Sequence, residues 1–153
     1  MSGLGKWLDN DNIQYVESVL DWQEAIHTAA RPLLKNKVIS EDYVQSIIKQ
    51  KSELGPYFVI APRIAMPHAR PEEGAIALGL SIVKLGQAVN FDADEHDPVD
   101  AIFMFSAPDS NSHIEMITQL AEVLSDDEIM ERIFNATTVD ELKSVLLHNR
   151  NNS

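Results

Sequence analysis

Between two apolar runs, Tyr57–Ala61 and Ala75–Leu85, the chain reads Ala61-Pro-Arg-Ile-Ala-Met-Pro-His-Ala-Arg-Pro-Glu-Glu-Gly74. Pro62, Pro67 and Pro71 each fix φ and remove a backbone donor, so no regular element is expected to cross this stretch. Pro67 also pushes Met66 toward extended geometry. The expectation is a stiff connection at a sheet edge that presents His68 in one orientation. A neutral imidazole is a nucleophile that titrates near neutral pH. The flanking Arg63 and Arg70 carry the charge to attract a phosphate or a carboxylate. On these residues alone, a loop histidine without chemistry is an equally good reading.

Around this stretch the apolar pattern alternates between helix and strand. Residues 1–10 have no periodicity and are expected to fray or pack loosely. Ile13–Val19 suggests a short strand. Asp21 with Glu24 has capping-box spacing and opens a helix whose apolar face is Trp22, Ala25, Ile26, Ala29, Leu33 and Leu34. A second helix follows Ser40 and stops at Gly55-Pro56. Strands are expected at Tyr57–Ala61, at Ala75–Leu85 with a close backbone approach at Gly79, and at Val99–Ala107, the last in a central place. Gly86-Gln87 reads as a turn into a short edge strand, Val89–Phe91. Three closing helices are predicted from the pairs Ser112/Glu115, Ser125/Glu128 and Thr138/Glu141, the first burying Ile114, Ile117, Leu120, Ala121 and Leu124. Asn149–Ser153 reads as a loose polar tail. This order predicts a single domain, an α/β layer sandwich with a mixed sheet.

His113 is the second informative residue. Placed just after Ser112, it is expected at the first position of a helix whose free N–H groups favour an anion. The helix follows the Val99–Ala107 strand, at the end where α/β folds hold ligands. Position alone fits a surface histidine as well. His68, His96 and His113 with Asp94 or Asp97 form a metal set on paper, but no two have the short spacing of ligand pairs, so no metal is expected. His27 and His148 are expected on the surface.

Composition excludes several classes. There is no cysteine, hence no disulfide, thiolate catalysis or cysteine metal site. With 24 acids against 12 Lys plus Arg, the net charge of −12 argues against nucleic-acid binding and fits a cytoplasmic protein. No apolar run reaches the roughly 18 residues that span a membrane. Met1–Trp7 is not followed by the apolar segment of a secretory signal. No serine sits in a nucleophile elbow, which weakens a hydrolase reading.

The string Ile64-Ala-Met-Pro-His68 matches a small-Ile/Leu-Ala-apolar-Pro-His signature and resembles the phosphohistidine site of enzyme IIA domains of the bacterial sugar phosphotransferase system, mannitol–fructose class. Gly55-Pro-Tyr-Phe-Val-Ile-Ala-Pro62 with His68-Ala-Arg-Pro-Glu72 is most similar to the ascorbate-type branch, and the resemblance runs from about Asp21 to the last helix. It implies a mostly parallel five-stranded sheet flanked by helices. It implies that His68 accepts a phosphoryl group from a histidine phosphocarrier protein and that His113, in Ser112-His-Ile-Glu-Met-Ile-Thr-Gln-Leu120, stabilises it. The phosphoryl then passes to a cysteine of an enzyme IIB, necessarily a separate chain here, and through it serves a membrane enzyme IIC. No cofactor is implied. The class usually carries an Arg-Glu pair sixteen residues before the active histidine, where this chain has Ser52-Glu53. Arg70 and, second, Arg63 are the candidates to supply the missing charge, and Ser112 completes the candidate binding residues. A surface salt bridge to Glu72 or Glu73 is the other reading of Arg70. Tyr57-Phe-Val replaces a usual Ser-Thr-Gly run, as the ascorbate-like branch does. A phosphorylation-controlled regulatory module with the same fold is the alternative.

Overall fold

Every residue from Val99 to Ser106 is buried, and the sheet is built outward from that strand in the computed structural model, which describes residues 3–147. In chain order the elements are β1 (Ile13–Val16), α1 (Trp22–Lys35), α2 (Glu41–Leu54), β2 (Val59–Ala61), β3 (Ile64–Ala65), β4 (Gly79–Val89), β5 (Val99–Ser106), α3 (Ser110–Leu124), α4 (Asp127–Asn135) and α5 (Val139–Leu146). The sheet order is β1-β4-β5-β3-β2. The β1–β4 and β3–β5 pairs are parallel, and the β2–β3 and β4–β5 pairs are antiparallel. The expected mixed five-stranded α/β sandwich is therefore present, with parallel and antiparallel pairings in equal number. No described helix is long and apolar enough to cross a membrane.

The period of two along β5 divides the core. Ala101, Phe103 and Phe105 join the cluster under α3, α4 and α5, while Ile102 and Met104 join the one under α1 and α2. A strand covered by helices on both faces needs this unbroken apolar run.

Local chemistry moved several expected boundaries. The proline-rich stretch does contain a strand, because the two residues of β3 lie between Pro62 and Pro67 and pair with Ala101 and Ile102. The expected turn at Gly86-Gln87 is absent: β4 continues to Val89, and the Gln87 N–H is taken by Glu17 O at 2.8 Å. Ala75–Leu78 does not join β4, since Ile76 and Ala77 both donate to Val38 O. At Gly79 the close approach is made by a side chain, not by backbone as expected: a Cβ there would lie 2.6 Å from Val38 Cγ1. The N-terminal segment, expected to fray or pack loosely, is anchored by Leu4 and Leu8, both buried. Residues 149–153 and His148 lie outside the described residues.

Two caps also differ from expectation. α3 starts at Ser110, capped by Asp109, whose carboxylate accepts from Ser112 N–H at 2.8 Å. α4 is capped by Asp126 rather than Ser125. In both, a carboxylate near the expected cap wins, being a stronger acceptor at a helix N-terminus. Thr138 caps α5 as expected, with Glu141 accepting from Thr137 N–H. The buried face of α3 is Met116, Leu120 and Val123, and Ile114 is 62% exposed.

Candidate functional site

His68 follows β3 and lies against the C-terminal end of β5. Its ring stacks on Phe105 with centroids 4.8 Å apart and planes 17° from parallel. The Nδ1 atom is 2.8 Å from Met66 O. A carbonyl can only accept, so Nδ1 carries the proton and the neutral ring keeps its lone pair on Nε2. Nε2 has no hydrogen-bond partner among the described residues. Burial holds the imidazole below its ordinary pKa of 6.5, against the opposing pull of Met66 O, and the nearby His113 adds to the depression. His68 is thus a neutral imidazole at neutral pH, oriented with its lone pair on Nε2.

α3 brings His113 to the same place. Its ring centroid is 6.3 Å from that of His68 and 5.7 Å from that of Phe105. Because α3 begins at Ser110, His113 is the fourth helical residue, not the first, and its own N–H already bonds Asp109 O at 3.0 Å. The helix N-terminus is likewise occupied: Asp109 caps it and is held below the usual carboxylate range by the Ser112 N–H and hydroxyl. Ser112 is therefore a capping residue whose Oγ lies 3.1 Å from Asp109 O and 3.3 Å from Asp109 N. Next to His113 is a cleft of about 350 Å³ lined by Pro71, Asp109, Ser110, His113 and Ile114.

The two arginines part company. Arg70 is exposed, two residues from His68, and no carboxylate among the described residues lies within ion-pair distance of its guanidinium. The salt bridge to Glu73 that its sequence position suggested is not formed. The Glu73 carboxylate accepts instead from the Arg70 backbone N–H at 2.9 Å and from Gln50 Nε2 at 2.7 Å, and the Arg70 N–H is the main cause of its lowered pKa. Arg63 is not brought to His68. Its guanidinium binds Asp100 through two bonds, 3.0 and 2.6 Å, and packs 4.0 Å from the Phe134 ring centroid. Asp100 and Phe105 are five residues apart on β5, about 16 Å of extended chain. Arg63 therefore serves the opposite end of the strand. Ser52 is exposed on the last turn of α2.

Sequence reasoning missed Phe105 as the surface under His68. It also missed two tyrosines: Tyr57, whose hydroxyl donates to His68 O at 2.7 Å, and Tyr43, whose hydroxyl donates to Phe105 O at 2.8 Å. Apolar periodicity assigns such residues to strands and helices, and their hydroxyls leave no pattern in the chain. His96 lies with Arg63, its carbonyl accepting from the Arg63 N–H at 3.1 Å, and no set of three His, Cys, Asp or Glu among the described residues is placed to hold a metal.

Known proteins share this fold and much of this sequence. The family described as phosphoenolpyruvate-dependent sugar phosphotransferase system, EIIA 2, matches residues 6–149. The mannitol-specific cryptic phosphotransferase enzyme IIA component of Escherichia coli K12 is 38% identical over 143 residues, 94% of this chain and 97% of that protein. The solution structure of the E. coli protein of that name matches with a TM-score of 0.89 at 37% identity, covering 95% of this chain and 98% of the other. The ascorbate-specific EIIA component of E. coli K12 is 36% identical over 139 residues, 90% of each chain. The E. coli mannitol enzyme IIA, solved in complex with phosphorylated enzyme IIB, matches with a TM-score of 0.75 at 26% identity, covering 92% of this chain and 97% of that one. The chain belongs to the EIIA 2 family of the sugar phosphotransferase system, and the members of that family are phosphotransferase relay components.

Proposed function

We propose that the chain is a cytoplasmic phosphocarrier in which Nε2 of His68 takes a phosphoryl group from the histidine phosphocarrier protein and yields it to the cysteine of a separate enzyme IIB. The observation that carries this reading is the Nδ1–H bond to Met66 O, which leaves the lone pair on Nε2 in a proline-stiffened loop. The Nε2 lone pair forms the new N–P bond while the bond to the donor's histidine breaks, so no proton has to leave Nε2. Positive charge that develops on the His68 ring is met by Met66 O. Such transfers need alignment and charge stabilisation rather than further covalent chemistry.

His113 is the donor assigned to the phosphoryl oxygens. Arg70 is assigned the charge that an arginine at Ser52 would supply, because its exposed guanidinium makes no contact ion pair among the described residues, its charge acting on Glu73 only at longer range, and Glu73 anchors its backbone to α2. Arg63 and Ser112 are left out of the transfer. The exposed Ile114 beside His113 adds apolar surface for a docking protein.

The solved IIA–IIB complex of the mannitol relative supports an enzyme IIB as the next acceptor; a membrane enzyme IIC beyond it follows only from the relay reading itself. Tyr57-Phe-Val in place of Ser-Thr-Gly supports an ascorbate-type system. The test is to charge the chain from phosphoenolpyruvate and the general phosphotransferase proteins, then offer ascorbate-type and mannitol-type enzyme IIB. Label should pass to the ascorbate-type cysteine faster. Preference for the mannitol-type protein reverses the sugar assignment, and transfer to neither favours a regulatory module.

A further inference from the structure

Four consecutive carbonyls of the histidine loop are each met by a donor. Met66 O accepts from the His68 imidazole at 2.8 Å and Pro67 O from the Phe105 N–H at 3.2 Å. His68 O accepts from the Tyr57 hydroxyl at 2.7 Å, and Ala69 O lies 3.3 Å from the Tyr43 hydroxyl. Tyr43 has one phenolic proton and lies closer, at 2.8 Å, to Phe105 O, so Ala69 receives the weaker share. Tyr43 is fully buried on α2 and ties that helix to the strand end on which the His68 ring stacks. The Tyr57 ring meets the His68 ring nearly edge-on, at 77° and 6.0 Å between centroids.

We propose that Tyr57, backed by Tyr43, is a positioning residue for the phosphoacceptor, an inference that rests on His68 being the acceptor. Each torsion that moves Nε2 then has its own restraint. Pro67 stiffens the chain entering His68, and the Tyr57 hydroxyl holds the peptide leaving it. Stacking on Phe105 fixes the ring plane, and the Met66 carbonyl fixes the rotation within that plane. A phosphoryl donor must arrive in line and within about 3–3.5 Å, so slack at the acceptor slows the transfer. Both phenols keep the protons that these bonds require. Burial, with the charge of Glu73 adding to it, lifts Tyr57 to about 12 and Tyr43 higher still.

Tyr57→Phe is the test, because it removes the hydroxyl and keeps the ring at a position 38% exposed. Two readouts apply: acceptance of phosphoryl from the charged histidine phosphocarrier protein over a range of its concentrations, and the ¹⁵N spectrum of the His68 ring. The maximal rate should fall about tenfold, the worth of roughly one hydrogen bond, with the half-saturating carrier concentration unchanged. The His68 spectrum should move from a single Nδ1–H tautomer toward a mixture. Wild-type maximal rate with an unchanged ring spectrum overturns the proposal. So does a raised half-saturating concentration at wild-type maximal rate, which makes Tyr57 a docking residue. If the unaltered protein is not labelled on His68, the relay reading fails. The ring spectrum then still decides whether Tyr57 holds the imidazole.

Discussion

The two ends of β5 use charge in opposite ways. At the Asp100 end the charges are paired. Asp100 is 5% exposed and is shared by Arg63 and by the buried Lys84, whose ammonium lies 3.3 Å from the carboxylate and donates to Leu85 O at 2.8 Å. The Arg63 backbone sits in the left-handed region at φ 72°, and its carbonyl accepts from both Asp100 and Ala101. At the Phe105 end, among the described residues, His68 is neutral with an unpartnered Nε2, His113 stands beside it, and Arg70 makes no contact ion pair, although its charge helps to hold the Glu73 carboxylate below its usual range. A saturated network holds a structure, whereas the proposed phosphoryl transfer needs partners that are still available. The contrast explains why Arg63, a candidate equal in type to Arg70, is absent from the site.

Substitutions at the two ends should therefore separate stability from transfer. The largest stability effect is expected at Asp100→Ala, which leaves Lys84 buried without its counter-charge. The loss should be about 3–5 kcal/mol, read by denaturant unfolding, with phosphotransfer retained in the fraction that folds. Next is His113→Ala, which should slow transfer on the order of a hundredfold, by analogy with loss of one preorganised donor, and leave the circular dichroism unchanged. Wild-type transfer in this variant would remove His113 from the site. Arg70→Ala should cost roughly 1.5–3 kcal/mol of transfer barrier, as one charged hydrogen bond does. Arg63→Ala should instead lower the melting temperature and spare the rate, and the reverse pattern would break the comparison between the two ends.

The smallest effect is one of pH. Burial depresses the folded pKa of His68 below 6.5, so the unfolded chain binds the proton more readily. The stability associated with this group is present above pH 6.5 and is lost as pH falls through the lower folded value. Phosphoryl acceptance should hold on acidification from neutral pH and decline only below 6.5, where the neutral nucleophile is lost. A decline already centred above that value would contradict the depressed pKa.

Much of this was legible in the chain. The apolar run Val99–Ala107 and the Asp21/Glu24 cap are local signals, and the structure keeps both. The Pro-His loop marked His68 because proline acts on its own neighbours. What was missed depends on distance in sequence. β3 is only two residues long and exists because β5 offers it a partner. Asp109 displaces Ser112 as a cap because a carboxylate competes better, which spacing does not reveal. The fate of Arg63 depends on Asp100 and Phe134, 37 and 71 residues away, and no local pattern announces such a partnership.

Whether His68 receives the phosphoryl group is tested most directly by site-resolved mass spectrometry. The chain would be incubated with phosphoenolpyruvate and the general phosphotransferase proteins, alongside His68→Ala. One added phosphoryl group is expected, on His68, labile to acid and stable to base, with no labelling of the variant. Label on a serine or on His96, or undiminished labelling of His68→Ala, would contradict the assignment.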